Sequence, residues 1–248
     1  MNSKAVFAFM VICGVIFTLS AWWRLPETHP VAARTPFHLR NLVSTSLTVL
    51  RHPEFLMLAF AAAINFSSIA VFIGAAPGIV EKHWGQGETS YWMLFVPVIA
   101  GILVGAVGSG RMAGKVDLVL QVRLGIAMTF TVSLVRVGLH FTLGDIPILA
   151  QQVLLFIAGV GAQFAFPVLT LRMLDLFPAA RGTAASAQAF VALLVTAFTL
   201  GIVSVKVLER LDWLAWASFV YTWLAALCWY LSRRWHDAAV SSVERVPS

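Results

Sequence analysis

Seven stretches of this chain are too long and too apolar to belong in water. They run near residues 5–23, 55–80, 90–110, 124–143, 146–171, 182–205 and 213–231. A bilayer core of roughly 30 Å takes about 20 helical residues to cross, and the stretches meet that length. Inside hydrocarbon every backbone N–H and C=O must pair within its own helix or around a closed barrel. None of the stretches alternates with period two, which disfavours a barrel. The expected fold is therefore all-α, a polytopic membrane protein with seven transmembrane helices. With 60% of the residues hydrophobic and 11% charged, no soluble core could hide this much apolar surface.

The net charge of +6 reads as topology. One set of connections holds Arg24, Arg34, Arg40, Arg51, Arg111, Lys115, Arg123, Arg172, Arg181, Arg233, Arg234 and Arg245. The alternate set holds only Lys4, Lys82, Lys206 and Arg210, while Arg136 falls inside a span. Short loops rich in Lys and Arg stay in the cytoplasm. The C-terminus is thus expected in the cytoplasm and the N-terminus on the periplasmic side. Basic charge distributed in this way gives no patch for nucleic acid. Cys13 and Cys228 both sit in apolar stretches and read as small packing residues without a disulfide.

That orientation bears on the first span. Lys4 precedes it and four arginines follow, a charge difference that opposes sending its N-terminus outward unaided. The apolar run continues through Ala21-Trp22-Trp23, beyond the usual length of a signal peptide. The expectation is a retained span that other spans once preceded. Four segments follow from the pattern: a first transmembrane helix (1–23), a polar cytoplasmic loop (24–53), a six-helix bundle (54–235) and a polar tail without fixed structure (236–248). No tandem repeat is visible, and an inverted three-plus-three repeat cannot be read from the residues.

Three motifs carry a resemblance. "RLPETHP" follows the first span, "GSGRMAGKVD" the third, and "RGTAASAQAF" opens the sixth. With these, the chain resembles the major facilitator superfamily, and more closely the carboxyl half, spans six to twelve, of the Bcr/CflA group of bacterial drug/proton antiporters. Leu25-Pro26-Glu27-Thr28 stands where that group's sixth span ends. Gly182 through Gln188 matches, with one extra alanine, the run that opens its eleventh. The resemblance covers about residues 5–235. It implies multidrug efflux coupled to protons in the full-length carrier and a place in the bacterial inner membrane. It also implies five further spans ahead of these, with the proton-coupling carboxylates mainly among them. On that basis the chain is expected to be a carboxyl-terminal fragment inactive alone, or a half that pairs with a separate amino half. Its expected partners are the lipid bilayer and a small amphipathic solute.

Neutral polar groups inside spans are the cavity candidates: Asn65 and Ser68 in "AINFSSIAVF", Gln163 with Phe164 and Phe166 beside Pro167, and Gln188. Cargo pockets of this kind are mainly apolar with a few polar groups, and interhelical hydrogen bonding is the competing use of such residues. Arg136 lies seven residues before Leu143, roughly 10 Å deep at the helical rise, so it either lines the cavity or snorkels outward. Gly101, Gly105 and Gly108 share a helix face suited to close packing. Through the resemblance, Gly110, Arg111, Gly114, Lys115 and Asp117 form a degenerate copy of a cytoplasmic gating motif, with Asp175 as the partner expected across the bundle. Pro77-Gly78 is expected to break the outer end of the second span.

Enzymes find no support. There is no glycine-rich phosphate loop, and no pair of histidines or carboxylates has metal-ligand spacing on one helix. Neither a catalytic residue nor a cofactor is expected. Ser109 in "VGSG" has Val107 where an intramembrane serine protease motif needs glycine, and the surroundings of His83 do not match an acyltransferase pattern. A seven-helix receptor shares the span count, but a retinal protein needs a lysine in its last span, and residues 213–231 have none.

Overall fold

A computed structural model describes residues 3–24, 39–144, 146–208 and 210–244. Among them there is no strand, and seven helical stretches are long and apolar enough to cross a membrane. The chain divides into two units, Met1–Asn41 and Leu42–Ser248. The first holds α1 (Ser3–Arg24), whose Thr18 hydroxyl donates back to the Gly14 carbonyl at 2.8 Å. That bond satisfies a hydroxyl that hydrocarbon cannot. The Leu25-Pro26-Glu27-Thr28 element lies outside the described residues.

The expected loop over 24–53 contains a helix, α2 (Leu39–Arg51). Leu42, Val43, Leu47, Val49 and Leu50 recur at helical spacing, while Ser, Thr, Asn and Arg cover the opposite side. Overall polarity concealed this periodicity. Val49 is fully buried in the bundle, whereas Leu42, Val43 and Leu47 remain exposed. His52 then breaks the helix with extended backbone (ψ 116°), and its Nδ1 accepts the Phe55 N–H at 3.3 Å. Pro53 follows at the first helical position, where its missing N–H costs nothing.

The bundle consists of α3 (Pro53–Gly74), α4 (Trp92–Met112), α5 (Leu118–Leu143), α6 (Ile148–Asp175), α7 (Arg181–Phe198), the short α8 (Ser204–Val207) and α9 (Leu211–Glu244). The expected break at Pro77-Gly78 is present: α3 stops at Gly74, and a π-helical turn runs over Gly78–His83. A second π-helical turn, Thr199–Val203, joins α7 to α8. The tail expected to lack structure is helical through Glu244. It holds neither Gly nor Pro before Pro247, and extending a nucleated helix adds one hydrogen bond per residue fixed.

Helices α3, α5 and α7 begin at one end of the bundle, where α4, α6 and α9 finish. That end carries Arg111, Lys115, Arg123, Arg172, Arg181, Arg233 and Arg234, and is called the basic end below. Helix α3 packs on α9, α7 and α6; helix α6 packs on α5, α4 and α3; and α5 meets α9. Exchanging α3, α4 and α5 for α6, α7 and α9 maps these pairs onto themselves. The two triplets run in opposite directions, so the pairing of the helices has the connectivity of an inverted repeat. Two apolar cores lie along the bundle. One, around Phe55, Leu58, Val122, Leu169 and Met173, sits at the basic end. The other, around Ile69, Phe72, Val98, Leu155 and Leu214, sits at the far end.

Candidate functional site

The two cores part at the level of Asn65 on α3, Thr129 on α5 and Gln163 on α6. Leu58 and Ala62 precede Asn65 in the first core, and Ile69 follows it in the second. The cavity candidates therefore lie near mid-bundle, but most are engaged by partners within the bundle. Asn65 is 1% exposed, and the Thr129 hydroxyl donates to its Oδ1 at 2.7 Å, with the Ile126 carbonyl at 2.9 Å as the alternative acceptor. Ser68 donates to the Asn65 carbonyl at 2.7 Å. Gln188, buried on α7, donates through Nε2 to Thr170 Oγ1 on α6 at 2.7 Å. Phe164 is buried, its ring 3.5 Å from where a Cβ on Gly108 would stand. Gln163 and Phe166, both half-buried on α6, are the candidates left with accessible surface at this level. Among the described residues, the Gln163 amide makes no hydrogen bond.

A polar node absent from the sequence-based candidates lies toward the basic end. Gln121 of α5 is fully buried and donates to Ser109 Oγ of α4 at 2.6 Å, with the Ser109 and Phe164 carbonyls at 3.3 and 3.4 Å. Three helices meet on one amide. Gln121 lies near the start of α5, far from mid-span, yet a glutamine followed by a long apolar run must find a partner somewhere. Ser109 thus serves as an acceptor for α5. Further pairs, Ser133 with Thr222 at 2.8 Å and Thr199 with Tyr221 at 2.8 Å, tie α5 and the turn after α7 to α9.

Arg136 is 4% exposed and points into the bundle. Its guanidinium lies 4.0 Å from the Phe72 ring centroid. Neither Nε nor Nη2 has a hydrogen-bond partner among the described residues. The ring face offers the cation partial compensation for lost water. His140, one turn outward, lines a separate cavity of about 460 Å³ with Val137, Arg210, Asp212 and Trp216. There the hydrogen bonds that Arg210 donates to the Asp212 carboxylate, and then the charge of that carboxylate, hold the Arg210 guanidinium above its ordinary range. None of the mid-bundle amides reaches that cavity.

The gating candidates occupy the turn between α4 and α5. Gly110 and Arg111 lie in the last turn of α4, and Arg111 and Lys115 are exposed. Gly114 has φ +75°, the left-handed conformation that favours glycine. Asp117 caps α5, accepting the Leu120 N–H at 3.2 Å. Asp175 does not reach across to Arg111 or Lys115. It pairs with Arg181 at 2.8 Å, because only the short Pro178–Ala180 turn separates the end of α6 from the start of α7. Among the described residues neither Arg111 nor Lys115 has an ion pair.

No family model matches the chain. Over 126 residues, 51% of its length, it is 22% identical to the bicyclomycin resistance protein homolog of Haemophilus influenzae. The match covers 32% of that protein, well under two thirds of its length.

Proposed function

We propose that this chain is one half of a secondary transporter, the carboxyl-half bundle of a Bcr/CflA-like carrier of the major facilitator type. It would sit in a bacterial inner membrane with its C-terminus in the cytoplasm. The observation that carries this reading is the inverted relation of α3-α4-α5 to α6-α7-α9. Carriers of this class nest such a three-plus-three repeat within each six-span half. Similarity to the bicyclomycin resistance protein homolog supports the same reading independently.

In such a carrier two bundles rock about a site near mid-bilayer. This bundle would contribute Gln163 and Phe166, an amide to orient cargo and a ring to bury it. Pro167 follows them within α6, where a missing N–H softens the helix. The Asn65–Thr129 and Gln188–Thr170 bonds hold the wall in shape behind those residues. No acidic residue is buried among the described ones. A proton therefore has no carboxylate to load at mid-depth here, and we assign proton coupling to an amino half.

The test is transport in proteoliposomes. The chain alone should give no uphill solute movement on a pH gradient. Supplied together with an amino half it should do so, and Gln163→Ala should reduce uptake. Uphill transport by the isolated chain would refute the assignment of coupling to a partner. Loss of all drug binding with both halves present would refute the transporter reading itself.

A further inference from the structure

Three arginines from two membrane spans converge on one cavity at the basic end. Arg123 of α5 and Arg233 and Arg234 of α9, with Trp229, Tyr230 and Asp237, line a space of about 220 Å³. Arg234 stacks over the Tyr230 ring at 5.1 Å, and Arg172 of α6 lies 5.4 Å from the Trp229 ring. Asp237 is the one acid in the lining and is engaged by Arg233 at 3.5 Å. Among the described residues Arg123 and Arg234 have no ion pair. Like charges that line one cavity repel, and an anion between them relieves that repulsion. Guanidinium forks match the geometry of phosphate oxygens.

The level of the cavity names the source of the phosphate. It sits where α5 enters its span and α9 leaves its own at Asp237, so it opens at headgroup depth. Trp and Tyr are the side chains enriched at that level, with a wet edge and an apolar body. We infer that this cavity is a headgroup site for a doubly anionic phospholipid. Arg123, Arg233 and Arg234 would take its phosphates, Trp229 and Tyr230 would flank the glycerol, and the acyl chains would run along α5 and α9. Basic pockets between transmembrane helices bind acidic headgroups by the same chemistry. A lipid with two phosphates balances the excess of positive charge better than one with a single phosphate.

The experiment is native mass spectrometry of the full chain in mild detergent, titrated with cardiolipin, phosphatidylglycerol or phosphatidylcholine, with inorganic phosphate as competitor. Cardiolipin should be retained in preference to phosphatidylcholine. Arg123→Gln with Arg234→Gln should weaken that retention roughly thirtyfold, from the loss of two surface-level cations. Lys82→Gln with Lys206→Gln removes the same charge at the far end and should leave retention unchanged. Equal retention of phosphatidylcholine, or equal loss from both pairs of substitutions, would overturn the site. Displacement of cardiolipin by an equal concentration of inorganic phosphate would make free phosphate the ligand and overturn the lipid assignment. Circular dichroism checks folding, and if the double variant misfolds, Arg234→Gln alone, at an exposed position, gives the same test. None of these readouts depends on transport.

Discussion

Thr129 gives Asn65 its role. With the hydroxyl in place the amide is a brace between α3 and α5. Thr129→Val leaves a buried Oδ1 without its donor and should cost about 1–2 kcal/mol, measured by reversible unfolding in mixed micelles. Adding Asn65→Leu should recover most of that loss, because removing both partners leaves nothing unsatisfied. Arg136 poses the opposite case. A buried charge without an acceptor costs several kcal/mol, and one ring face returns about 2. Arg136→Met should therefore raise the unfolding free energy. Phe72→Leu should destabilise the wild-type chain and have less effect once Arg136 is gone, a coupling that a double-mutant cycle reads directly. The presence of these residues inside spans was legible in the sequence. Their partners were not, since a partner 64 residues away in the chain leaves no local trace.

At the scale of helices, small residues set how close backbones come. A Cβ at Gly101 would collide with the Phe156 carbonyl, and one at Gly105 with the Val160 carbonyl. Gly159 of α6 faces back onto Val98 and Gly101, and Gly161 meets Gly125 of α5 at similarly short range. The glycine face expected from spacing is therefore a packing face at two of its three positions. Gly108 meets only the Phe164 ring at ordinary contact distance, and Gly110 meets nothing. Gly101→Val should separate α4 from α6 and destabilise by several kcal/mol, as overpacking does when backbone blocks relaxation. Gly110→Ala should be neutral or should stabilise by up to about 1 kcal/mol through helix propensity. Thermal unfolding of the purified variants separates the two. Helix α2 was missed because its apolar face is interleaved with Ser and Thr, so that periodicity and mean polarity pointed in different directions. The continuation of α9 to Glu244 is hidden by the polarity of the tail, although no helix breaker intervenes.

For the whole molecule, the distribution of Lys and Arg predicts the side on which the basic end lies. A fluorescent protein fused after Ser248 should fold and fluoresce in the cytoplasm, while alkaline phosphatase at the same place should stay inactive. Bright phosphatase activity there would invert the topology. By itself the sequence determined the class, the number of spans and the end that collects positive charge. Those properties are sums over contiguous residues, and the bilayer imposes them on any chain of this composition. Only the tertiary structure decided that the six bundle helices pair as two inverted triplets. It likewise decided that threonine hydroxyls of neighbouring helices engage Asn65 and Gln188, and that Arg123, Arg233 and Arg234 share a cavity. Such arrangements depend on which faces of distant helices meet. In hydrocarbon that choice is made by shape and by scarce polar contacts, since lipid is as apolar as the side chains it touches.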